Sequence, residues 1–427
     1  MRMTKPEFQK RAKQYAERFR EVRKAAAAYC VKQDDLIEMG ALAVVAKQHA
    51  LLVGPWGCNK TRTINVFTHL IGATNGQMFR ATLDKTTPPE ALLGPISPKQ
   101  LLENDRFVRN LKGTVCDATF AFIGEAFSGN SATRRALHTV LNERYVENGG
   151  ERVPVQLHTA FLDSNDFPSR REDRPFYDRI ALRCEVNYLE PSDKDAFIAM
   201  RRSPQFVASK VAPLFTIAEV REAAQLARLV VVPPIIDDSM HMLRNDLFAK
   251  AVQLSDRRWY VAYSVLKASA LLDGRDHVAP SDLWSLRFVL TDIVDGQAKA
   301  VVEQLKPYKG QSLRDAEQSF VNDARILYEQ AVQGNTAFRK SAIESLFTLS
   351  GSVIDAEIKA EIVGIADKLK DAAKNAPATL ELTGDDDSLT DAALDELIGF
   401  EKPKTADDEA VGFADGANDE DDGEEEV

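Results

Sequence analysis

Residues 51–63, LLVGPWGCNKTRT, join a short apolar run to a glycine-containing turn and then to a polar segment. Gly54 and the pair Lys60-Thr61 have the spacing of a Walker A phosphate loop. In such a loop, backbone N–H groups and a helix N-terminus bind phosphate, the lysine ammonium reaches the outer phosphates, and the hydroxyl binds magnesium. The motif requires a strand before the turn and a helix after it, so it predicts an α/β nucleotide-binding fold.

The turn and the residues that follow it are predicted to hold the nucleotide. The predicted ATP-binding residues are Gly54, Pro55, Trp56, Gly57, Cys58, Asn59, Lys60, Thr61 and Arg62. Thr61 is also the predicted Mg²⁺ ligand. Asn59 stands where the usual pattern has its second glycine, and we expect it to open a helix, where a non-glycine backbone is permissible. For Trp56, contact with the nucleotide, contact with a neighbouring subunit and simple packing are all open.

A second apolar segment, TFAFIGEAF, is predicted to end in residues that support catalysis. In P-loop ATPases, an aspartate at the end of this strand helps to hold the metal, and a neighbouring glutamate polarises the attacking water. Glu125 is present, but Gly124 occupies the place of the aspartate. Losing that carboxylate weakens the electrostatic support for phosphoryl transfer. Asp84, Glu90 and Asp163 are candidates to replace it, and the sequence does not choose among them.

Three further polar residues follow in the order that an ATPase working between subunits requires. Asn165, after the apolar run LHTAFL, is predicted to position water against the γ-phosphate. Arg179 in PFYDRIALR is predicted to reach the nucleotide of a neighbouring subunit, with Arg183 as the weaker candidate. Arg257 opens a helical segment that is predicted to lean over the phosphates. The predicted catalytic residues are therefore Glu125, Asn165, Arg179 and Arg257.

Apolar runs alternate with helical segments over the first part of the chain. The predicted strands are residues 50–53, 78–83, 119–123, 157–163 and 180–186. Strands that alternate with helices form a largely parallel sheet, so the predicted fold class is α/β, a P-loop module with flanking helices. The residues beyond it carry helical periodicity without a convincing strand. They predict an all-α lid and then a helical C-terminal extension.

These patterns divide the chain into five segments. They are a basic N-terminal helix (1–34), an α/β domain (35–190), an α-helical lid (191–296), a helical extension (297–376) and an acidic disordered tail (377–427). The tail is predicted to be disordered because residues 383–427 hold 18 Asp/Glu against 2 Lys and cannot bury enough apolar surface. Within the tail, residues 388–400 show helical spacing behind a serine cap. Docking of this helix onto a partner and a marginal local helix are both open.

Charge, cysteines and hydropathy bear on the class of protein. The net charge of −11 falls on the tail, so the rest of the chain is about +5 and shows no long basic stripe alternating with aromatics. The first 24 residues, with nine Lys/Arg, are either a solvated helix face or a contact for nucleic acid or an anionic membrane. The four cysteines are far apart and no zinc-ligand spacing occurs. Apolar runs fall short of the roughly 20 residues of a membrane span, so we expect a cytoplasmic protein without a membrane anchor.

At this point the motifs resemble those of AAA+ ATPases of the MoxR group, especially its RavA-like branch. The most specific stretches are TTPPEALLGPISPKQL, LHTVLNERYVENGG, FYDRIALR and SALLDGRDHVAPSDLW. The resemblance runs from about residue 35 to about residue 293. It implies a P-loop domain and a helical lid that assemble into a hexameric ring, with ATP at the subunit boundaries. It also implies that a small residue such as Asn59 is tolerated before the lysine.

Two insertions are implied by the same resemblance, and both are expected to face the pore or the substrate. They are a helix-2 insert at residues 94–117 and a pre-sensor hairpin at residues 144–156, in which Asn148-Gly149 is predicted to form the tight turn. The resemblance further implies a partner with a von Willebrand factor A (vWA) domain. Its Asp-x-Ser-x-Ser metal motif does not occur in this sequence, so such a domain is expected on another chain. The acidic tail is a candidate for contacting that partner.

The leading functional prediction is a MoxR-type ATPase that binds ATP and Mg²⁺ in a ring and remodels or activates a protein target. Hydrolysis is expected to be slow because Gly124 replaces an aspartate. If nothing else fills that gap, Gly124→Asp should speed turnover. The alternative is a nucleotide-gated scaffold that does not hydrolyse ATP, and a third, weaker alternative is a nucleic-acid remodelling ATPase.

Overall fold

The computed structural model describes residues 3–74, 76–165, 173–291, 297–334 and 336–374. Their contacts divide into two compact units. The larger unit comprises residues 9–319 and 352–355, and it contains the sheet and the lid. The smaller unit comprises the described residues among 3–8, 320–351 and 356–374. The predicted acidic tail and the predicted helix at 388–400 lie outside the described residues.

A five-stranded parallel sheet forms the centre of the larger unit. Its strands are β1 (Ala50–Val53), β2 (Met78–Thr82), β3 (Phe120–Gly124), β6 (Thr159–Ser164) and β7 (Leu182–Glu185), in the order β2-β3-β6-β1-β7. The five predicted strands are confirmed, each within two residues of its predicted bounds. Strands β1 and β3 are buried along their whole length because helices cover both faces, as in other parallel sheets. The carboxyl ends of the strands therefore meet at one edge.

Helices flank the sheet and connect its strands. They are α1 (Lys5–Tyr29), α2 (Asp34–Val45), α3 (Lys60–Leu70), α4 (Glu90–Leu93), α5 (Pro98–Asn104), α6 (Ser131–Glu143) and α7 (Arg174–Arg179). Helix α3 begins at the end of β1 and packs on the sheet, where Phe67 meets Phe161 edge to face with ring centroids 6.1 Å apart. Helix α3 thus points its N-terminus at the carboxyl ends of the strands.

The two predicted insertions contact each other. The hairpin consists of β4 (Tyr145–Asn148) and β5 (Glu151–Pro154), and Asn148 exchanges hydrogen bonds with the backbone of Arg109 in the other insertion. The predicted Asn148-Gly149 turn is wrong by one residue, because Asn148 pairs with Glu151 as the last ladder position. Gly149 and Gly150 form the two-residue turn, with φ of 65° and 90°, and such a turn requires positive φ at both positions.

The lid follows β7 and is all-helical, as predicted. Its helices are α8 (Lys194–Arg202), α9 (Ile217–Arg228), α10 (Pro234–Ala249), α11 (Asp256–Leu272) and α12 (Arg287–Leu290), with a 3-10 segment at Pro280–Leu286. Helix α13 (Ala298–Leu305) follows, at the start of the segment predicted as the extension. Helix α9 begins with a capping box between Thr216 and Glu219, which satisfies two backbone donors at its N-terminus.

The basic helix α1 packs on the lid. Arg18 donates to Glu219 at 2.6 Å and lies over the ring of Phe215, and Arg11 pairs with Glu222. The apolar side of α1 is buried at residues such as Tyr15 and Phe19. Carboxylates of the lid therefore hold these two arginines. The sequence predicted either a solvated helix face or a contact for nucleic acid or an anionic membrane, and neither alternative included this pairing.

The smaller unit is helical, as the periodicity predicts. It contains the end of α14 (Leu313–Gln333), nearly all of α15 (Thr336–Ser352), and α16 (Ala356–Lys374). Its buried side chains are small or aliphatic: Val321, Ala324, Ala331, Ala342, Leu346, Ile362, Ala366 and Leu369. Among the described residues of the chain, no helix is both long and apolar enough to cross a membrane.

Candidate nucleotide and catalytic site

The phosphate loop runs from the end of β1 to the start of α3, as the sequence predicts. Gly54 extends the sheet ladder through its N–H, which donates to Ser164 O at 3.1 Å. A methyl group built on Gly54 would lie 1.9 Å from the carbonyl oxygen of Val186, so only glycine fits there. The loop then turns, and Lys60 at the first position of α3 is 5% exposed. The close approach of β7 to Gly54 thus fixes the first glycine of the motif.

Asn59 adopts the left-handed conformation, with φ of 65° and ψ of 17°. Asn59 opens α3 as expected, because it is the N-cap of that helix, but its backbone is left-handed rather than helical. This region favours glycine, and asparagine is among the few other residues that adopt it readily. The exchange of glycine for asparagine therefore preserves the shape of the loop.

A cavity of about 370 Å³ opens beside the phosphate loop. It is lined by Pro55, Trp56, Gly57, Cys58, Asn59, Lys60, Thr61, Arg62, Asp163 and Asn165. Eight of the nine predicted nucleotide residues are among them, and Gly54 forms the start of the loop. The indole of Trp56 is 77% exposed, so the simple-packing alternative is wrong for this chain alone. Tyr188 holds this part of the loop through a 2.7 Å bond from its hydroxyl to Trp56 O.

A hydrogen-bonded chain joins the phosphate loop to the ends of two other strands. The Lys60 ammonium donates to Asn165 Oδ1 at 3.1 Å and to the loop carbonyls of Gly54 and Pro55. Asn165 Nδ2 in turn donates to Glu125 Oε1. The structure thus brings together Lys60, Asn165 and Glu125, which lie far apart in the sequence but were predicted to share one site.

The end of β3 lacks the usual aspartate, as the sequence indicates. The adjacent strand β6 places another carboxylate beside this position. Gly124 pairs with Thr82 of β2 on one side. On the other side, Asp163 accepts a 3.0 Å hydrogen bond from Glu125 N–H through Oδ1. A methyl group built on Gly124 would lie 3.3 Å from that same oxygen. Of the three carboxylates that the sequence left open, only Asp163 lines the cavity.

The cavity suits the ligands that its motif implies. The buried ammonium, the loop and the N-terminus of α3 offer positive charge and N–H donors to phosphate. Thr61 and Asp163 offer oxygen donors, which Mg²⁺ prefers. Burial raises the pKa of Asp163, while the Glu125 N–H and Lys60 act in the opposite direction. Among the described residues, no group of three or more His, Cys, Asp or Glu side chains is arranged as a metal site.

The predicted arginines lie in three different environments, and none of them lines the cavity of its own chain. Arg179 is the last residue of α7 and is half-buried. Arg257 is exposed in the first turn of α11. Arg183, the weaker candidate for reaching a neighbour, is wrong: it is 1% exposed in β7, donates to Tyr177 O at 2.8 Å and lies over the Tyr177 ring. It is part of the core.

Sequence reasoning missed the buried pair between Arg258 of α11 and Asp178 of α7. Arg258 Nε donates to Asp178 Oδ1 at 3.0 Å, and Ser255 Oγ donates to both oxygens of the same carboxylate. Arg258 follows Arg257 directly, and nothing in the local pattern distinguishes the two. Only the partner, an aspartate from a distant segment, shows which of the two arginines is buried.

Comparison with known proteins gives this arrangement a family. Residues 17–218 match the model of the MoxR domain in MoxR-vWA-beta-propeller ternary systems, and residues 235–304 match that of an AAA lid domain. Two uncharacterized proteins of Methanocaldococcus jannaschii, MJ0079 and MJ0812, are 28% and 26% identical to the chain. Those alignments cover 69% and 75% of this chain and 77% and 85% of the relatives.

A further protein and one solved structure are also similar to the chain. Chaperone MoxR1 of Mycobacterium tuberculosis is 22% identical over 59% of this chain and 69% of its own length. A crystal structure from Cytophaga hutchinsonii, described as that of a candidate ATPase, superposes with a TM-score of 0.56 at 19% identity, covering 70% of this chain and 96% of that one. The latter likeness concerns the fold alone. The chain therefore carries a MoxR-family AAA+ module, in which a MoxR domain over residues 17–218 is followed by an AAA lid domain over residues 235–304.

Proposed function

We propose that this protein binds ATP with Mg²⁺ in the cavity beside the phosphate loop, hydrolyses it slowly, and uses the cycle to remodel or activate a protein target. The observation that carries the proposal is the chain of contacts from Lys60 through Asn165 to Glu125. Each of these side chains ends at the same edge of the sheet, and each has a distinct task in binding or turning over a triphosphate. A phosphate loop without this chain would support binding only.

The proposed roles follow from the positions of the groups. Lys60 and the loop N–H groups hold the phosphates, and Thr61 binds Mg²⁺, which neutralises charge on the phosphate oxygens. Glu125 orients and polarises the attacking water, and Asn165 fixes the Glu125 carboxylate while its own oxygen contacts Lys60. Asn165 contacts both Glu125 and Lys60. Movement of the Lys60 ammonium to a phosphate would therefore change the contact between Asn165 and Glu125.

Assembly into a ring explains the two arginines outside the cavity. Arg179 would act on the nucleotide of the neighbouring subunit, and Arg257 would approach the phosphates as the lid moves; both are absent from the lining of the cavity in their own chain. A positive charge supplied by a neighbour couples hydrolysis to assembly. We propose a hexamer on the resemblance to MoxR and RavA-like proteins.

The target is proposed to be a protein. The matched MoxR domain is described as part of ternary systems with vWA and beta-propeller components, and one relative is named a chaperone. Both descriptions belong to other proteins. We therefore propose a vWA partner on a separate chain on the basis of the match to this family. The acidic tail is the proposed docking element, and the cytoplasm is the proposed compartment.

A scaffold that binds ATP without hydrolysing it is the second candidate, and Gly124 is the observation that favours it. The two candidates separate in one experiment on purified full-length protein. Calorimetric titration with ATP and ADP measures binding, and released phosphate measures turnover, for the wild type, Lys60→Ala and Glu125→Gln. Slow turnover that both variants abolish supports the ATPase. Binding without turnover in the wild type selects the scaffold, and no binding of either nucleotide refutes both.

A further inference from the structure

The ends of β3 and β6 place a carboxylate beside the position that lacks one. The two strands are parallel neighbours with Ile123 opposite Leu162, so Gly124 and Asp163 are the next residues on each. The Asp163 backbone is held by its carbonyl, which accepts from Ala126 N–H at 2.9 Å. The side chain of Asp163 therefore issues from a fixed backbone directly beside Gly124.

The Asp163 carboxylate fills part of the volume that a side chain at position 124 would use. A methyl group built on Gly124 would lie 3.3 Å from Asp163 Oδ1 and 3.1 Å from Thr82 Oγ1. Contacts of 3.0–3.4 Å require the neighbour to yield by a few tenths of an ångström. A larger side chain at position 124 would push against that carboxylate. The glycine is thus matched to the aspartate, because its small size leaves room for the Asp163 carboxylate.

Only one oxygen of that carboxylate is engaged. Oδ1 accepts the hydrogen bond from Glu125 N–H, and Oδ2 has no hydrogen-bond donor among the residues that the structure describes. The residue lines the same cavity as Lys60 and Thr61. A fixed carboxylate with a second oxygen available, facing a cavity that suits phosphate, has the donor type that Mg²⁺ or a water on Mg²⁺ requires.

The other two candidate carboxylates are committed elsewhere. Asp84 Oδ1 accepts hydrogen bonds at 2.7 Å from the N–H groups of Thr86 and Thr87 and further bonds from their hydroxyls. Glu90 pairs with Arg109 at 3.2 Å. Neither lines the cavity. Of the three carboxylates that the sequence left open to replace the missing aspartate, only Asp163 therefore remains a candidate.

We propose that Asp163, from β6, supplies the carboxylate that positions Mg²⁺ beside Thr61, in place of an aspartate at position 124 of β3. The proposal rests on the proposed ATP site and names the residue that makes the site complete. It also changes the expectation for Gly124→Asp. Placed next to Asp163, a second carboxylate meets a like charge and a crowded volume, so the single substitution should fail to improve metal binding.

The test measures how nucleotide binding depends on metal. Fluorescent mant-ATP is titrated into the full chain in EDTA and at graded Mg²⁺, and Mn²⁺ paramagnetic resonance with ADP reports metal occupancy directly. Asp163→Asn keeps the size and an acceptor for Glu125 N–H but removes the charge, so it should fold like the wild type. Asp84→Asn removes the same charge at a site outside the cavity and serves as the matched control.

We expect Asp163→Asn to bind mant-ATP in EDTA like the wild type, but to need at least about tenfold more Mg²⁺ for half-saturation, since disturbing metal-site partners costs roughly 10- to 100-fold in affinity. Asp84→Asn should leave the Mg²⁺ requirement unchanged. The double variant Gly124→Asp/Asp163→Ala, which moves the carboxylate to β3, should recover most of the Mg²⁺ affinity that Asp163→Asn loses. Unchanged Mg²⁺ dependence in Asp163→Asn, or equal loss of binding with and without metal, would overturn this assignment and leave the proposed function standing. Absence of mant-ATP binding to the wild type in every condition would instead refute the proposed function.

Discussion

Arg258, on the first helical turn of the lid helix α11, donates a 3.0 Å hydrogen bond from Nε to Asp178 Oδ1 in α7. The arginine is 4% exposed and the aspartate side chain 31% exposed, so the pair is largely removed from water. Arg257 and Arg179, the two arginines predicted to act on phosphates, are the immediate chain neighbours of this pair. The contact therefore joins the first turn of the helix that carries Arg257 to the helix that carries Arg179.

Breaking this pair should destabilise the larger unit. Asp178→Ala removes the carboxylate that accepts from Arg258 Nε, and loss of one partner of a buried pair costs about 3–5 kcal/mol. Because Asp178 keeps some contact with water, we expect about 2–3 kcal/mol, measured as a loss in free energy of unfolding by urea denaturation.

The double variant Asp178→Leu/Arg258→Met is the control. It removes both charges and should recover most of the loss, because apolar replacements of buried ion pairs are often nearly neutral. A loss below about 0.5 kcal/mol in Asp178→Ala would show that the pair contributes as little as an exposed one.

Arg179 should act on a nucleotide bound by another subunit. Arg179→Ala should bind ATP like the wild type but turn it over at least about 10³-fold more slowly, the range reported for arginines that supply charge to phosphoryl transfer. Lys60→Ala should bind no ATP but still offer an intact Arg179. Mixing the two inactive variants should restore phosphate release, because some sites then combine a working loop with a neighbour's arginine.

The mixing ratio supplies the control for that experiment. Restored activity should peak when both variants are present in comparable amounts and vanish in either alone. Mixtures of Lys60→Ala with the double variant Lys60→Ala/Arg179→Ala should stay inactive. If an equimolar mixture of the two single variants shows no activity although both assemble, Arg179 does not work across a subunit boundary.

The elements of this fold were predictable because their signals are local. A strand, a glycine turn and a helix must follow one another for Lys60 to bind phosphate. This order predicted β1 at its observed bounds and a helix, α3, directly after the turn. The apolar runs that became β3, β6 and β7 are buried over most of their length, so they stand out without alternation. The hairpin turn was misplaced by one residue because Asn148-Gly149 and Gly149-Gly150 are both good turn pairs, and strand pairing decides between them.

The parts that sequence could not predict depend on neighbours across the sheet. The sequence around Arg183 does not distinguish it from an arginine at the surface. In the structure, β7 places Arg183 between Tyr177 and the lid, where the carbonyl oxygens of Tyr177 and Val289 accept its hydrogen bonds. Asp163 follows an apolar run as many loop residues do, and only the register of β3 against β6 brings it to Gly124. Spacing along the chain predicts neither the burial of Arg183 nor the position of Asp163 beside Gly124.

Asn59 should be more favourable than alanine and slightly less favourable than glycine at its position. Its φ of 65° lies in the left-handed region, which costs an ordinary L-residue roughly 1–2 kcal/mol and asparagine less. We expect Asn59→Ala to lower the free energy of unfolding by about 1 kcal/mol relative to Asn59→Gly.

Nucleotide affinity gives the second measurement on the same pair. Asn59→Gly should retain mant-ATP binding, because glycine keeps the shape of the loop. If Asn59→Ala proves as stable as Asn59→Gly and binds as tightly, the left-handed backbone at this position does not matter to the site.

Glu125 and Asn165 should behave as one catalytic unit. Glu125→Gln should keep ATP binding while turnover falls by about 10²–10⁴-fold, the usual contribution of a positioned acid or base. Asn165→Ala should lower turnover as well, because it removes the donor to Glu125 and the acceptor for Lys60.

The double variant Glu125→Gln/Asn165→Ala tests whether the two side chains depend on each other. Its turnover should be close to that of Glu125→Gln alone, since residues that act together are not additive. Fully additive losses would mean that the two side chains contribute independently and that the contact between them is incidental.

The larger unit should lose stability as the pH falls from neutral, and two buried histidines are the reason. His49 Nδ1 accepts from Ala160 N–H at 2.9 Å and its Nε2 lies 3.0 Å from Leu141 O, so the ring is neutral with its proton on Nε2. His158 Nε2 lies 2.8 Å from Val44 O. Burial lowers the pKa of His158 to about 4 and that of His49 well below its usual value.

The sign of the effect follows from where each state binds protons. In the unfolded chain both rings take up a proton near pH 6.5, whereas the folded protein resists it until the pH approaches the lowered values. Stability is therefore fully present above about pH 6.5 and is lost as the pH falls toward 4. For His158, the expected loss between pH 6.5 and pH 5 is about 2 kcal/mol, at 1.36 kcal/mol per pH unit, and His49 acts in the same direction. The hydrogen bond from Arg18 lowers the pKa of Glu219 to about 2, against the effect of burial, so the stability that this carboxylate contributes is lost only as the pH falls below about 4.5.

Urea denaturation at pH 7.5, 6 and 5 measures this dependence. His158→Gln keeps a donor for Val44 O but cannot be protonated, so its free energy of unfolding should fall by less than that of the wild type over this pH range. The same substitution at the exposed His241 controls for the loss of a histidine elsewhere on the chain. Because the paired carboxylates protonate below this range, a slope that His158→Gln leaves unchanged would assign the acid sensitivity to groups other than this ring.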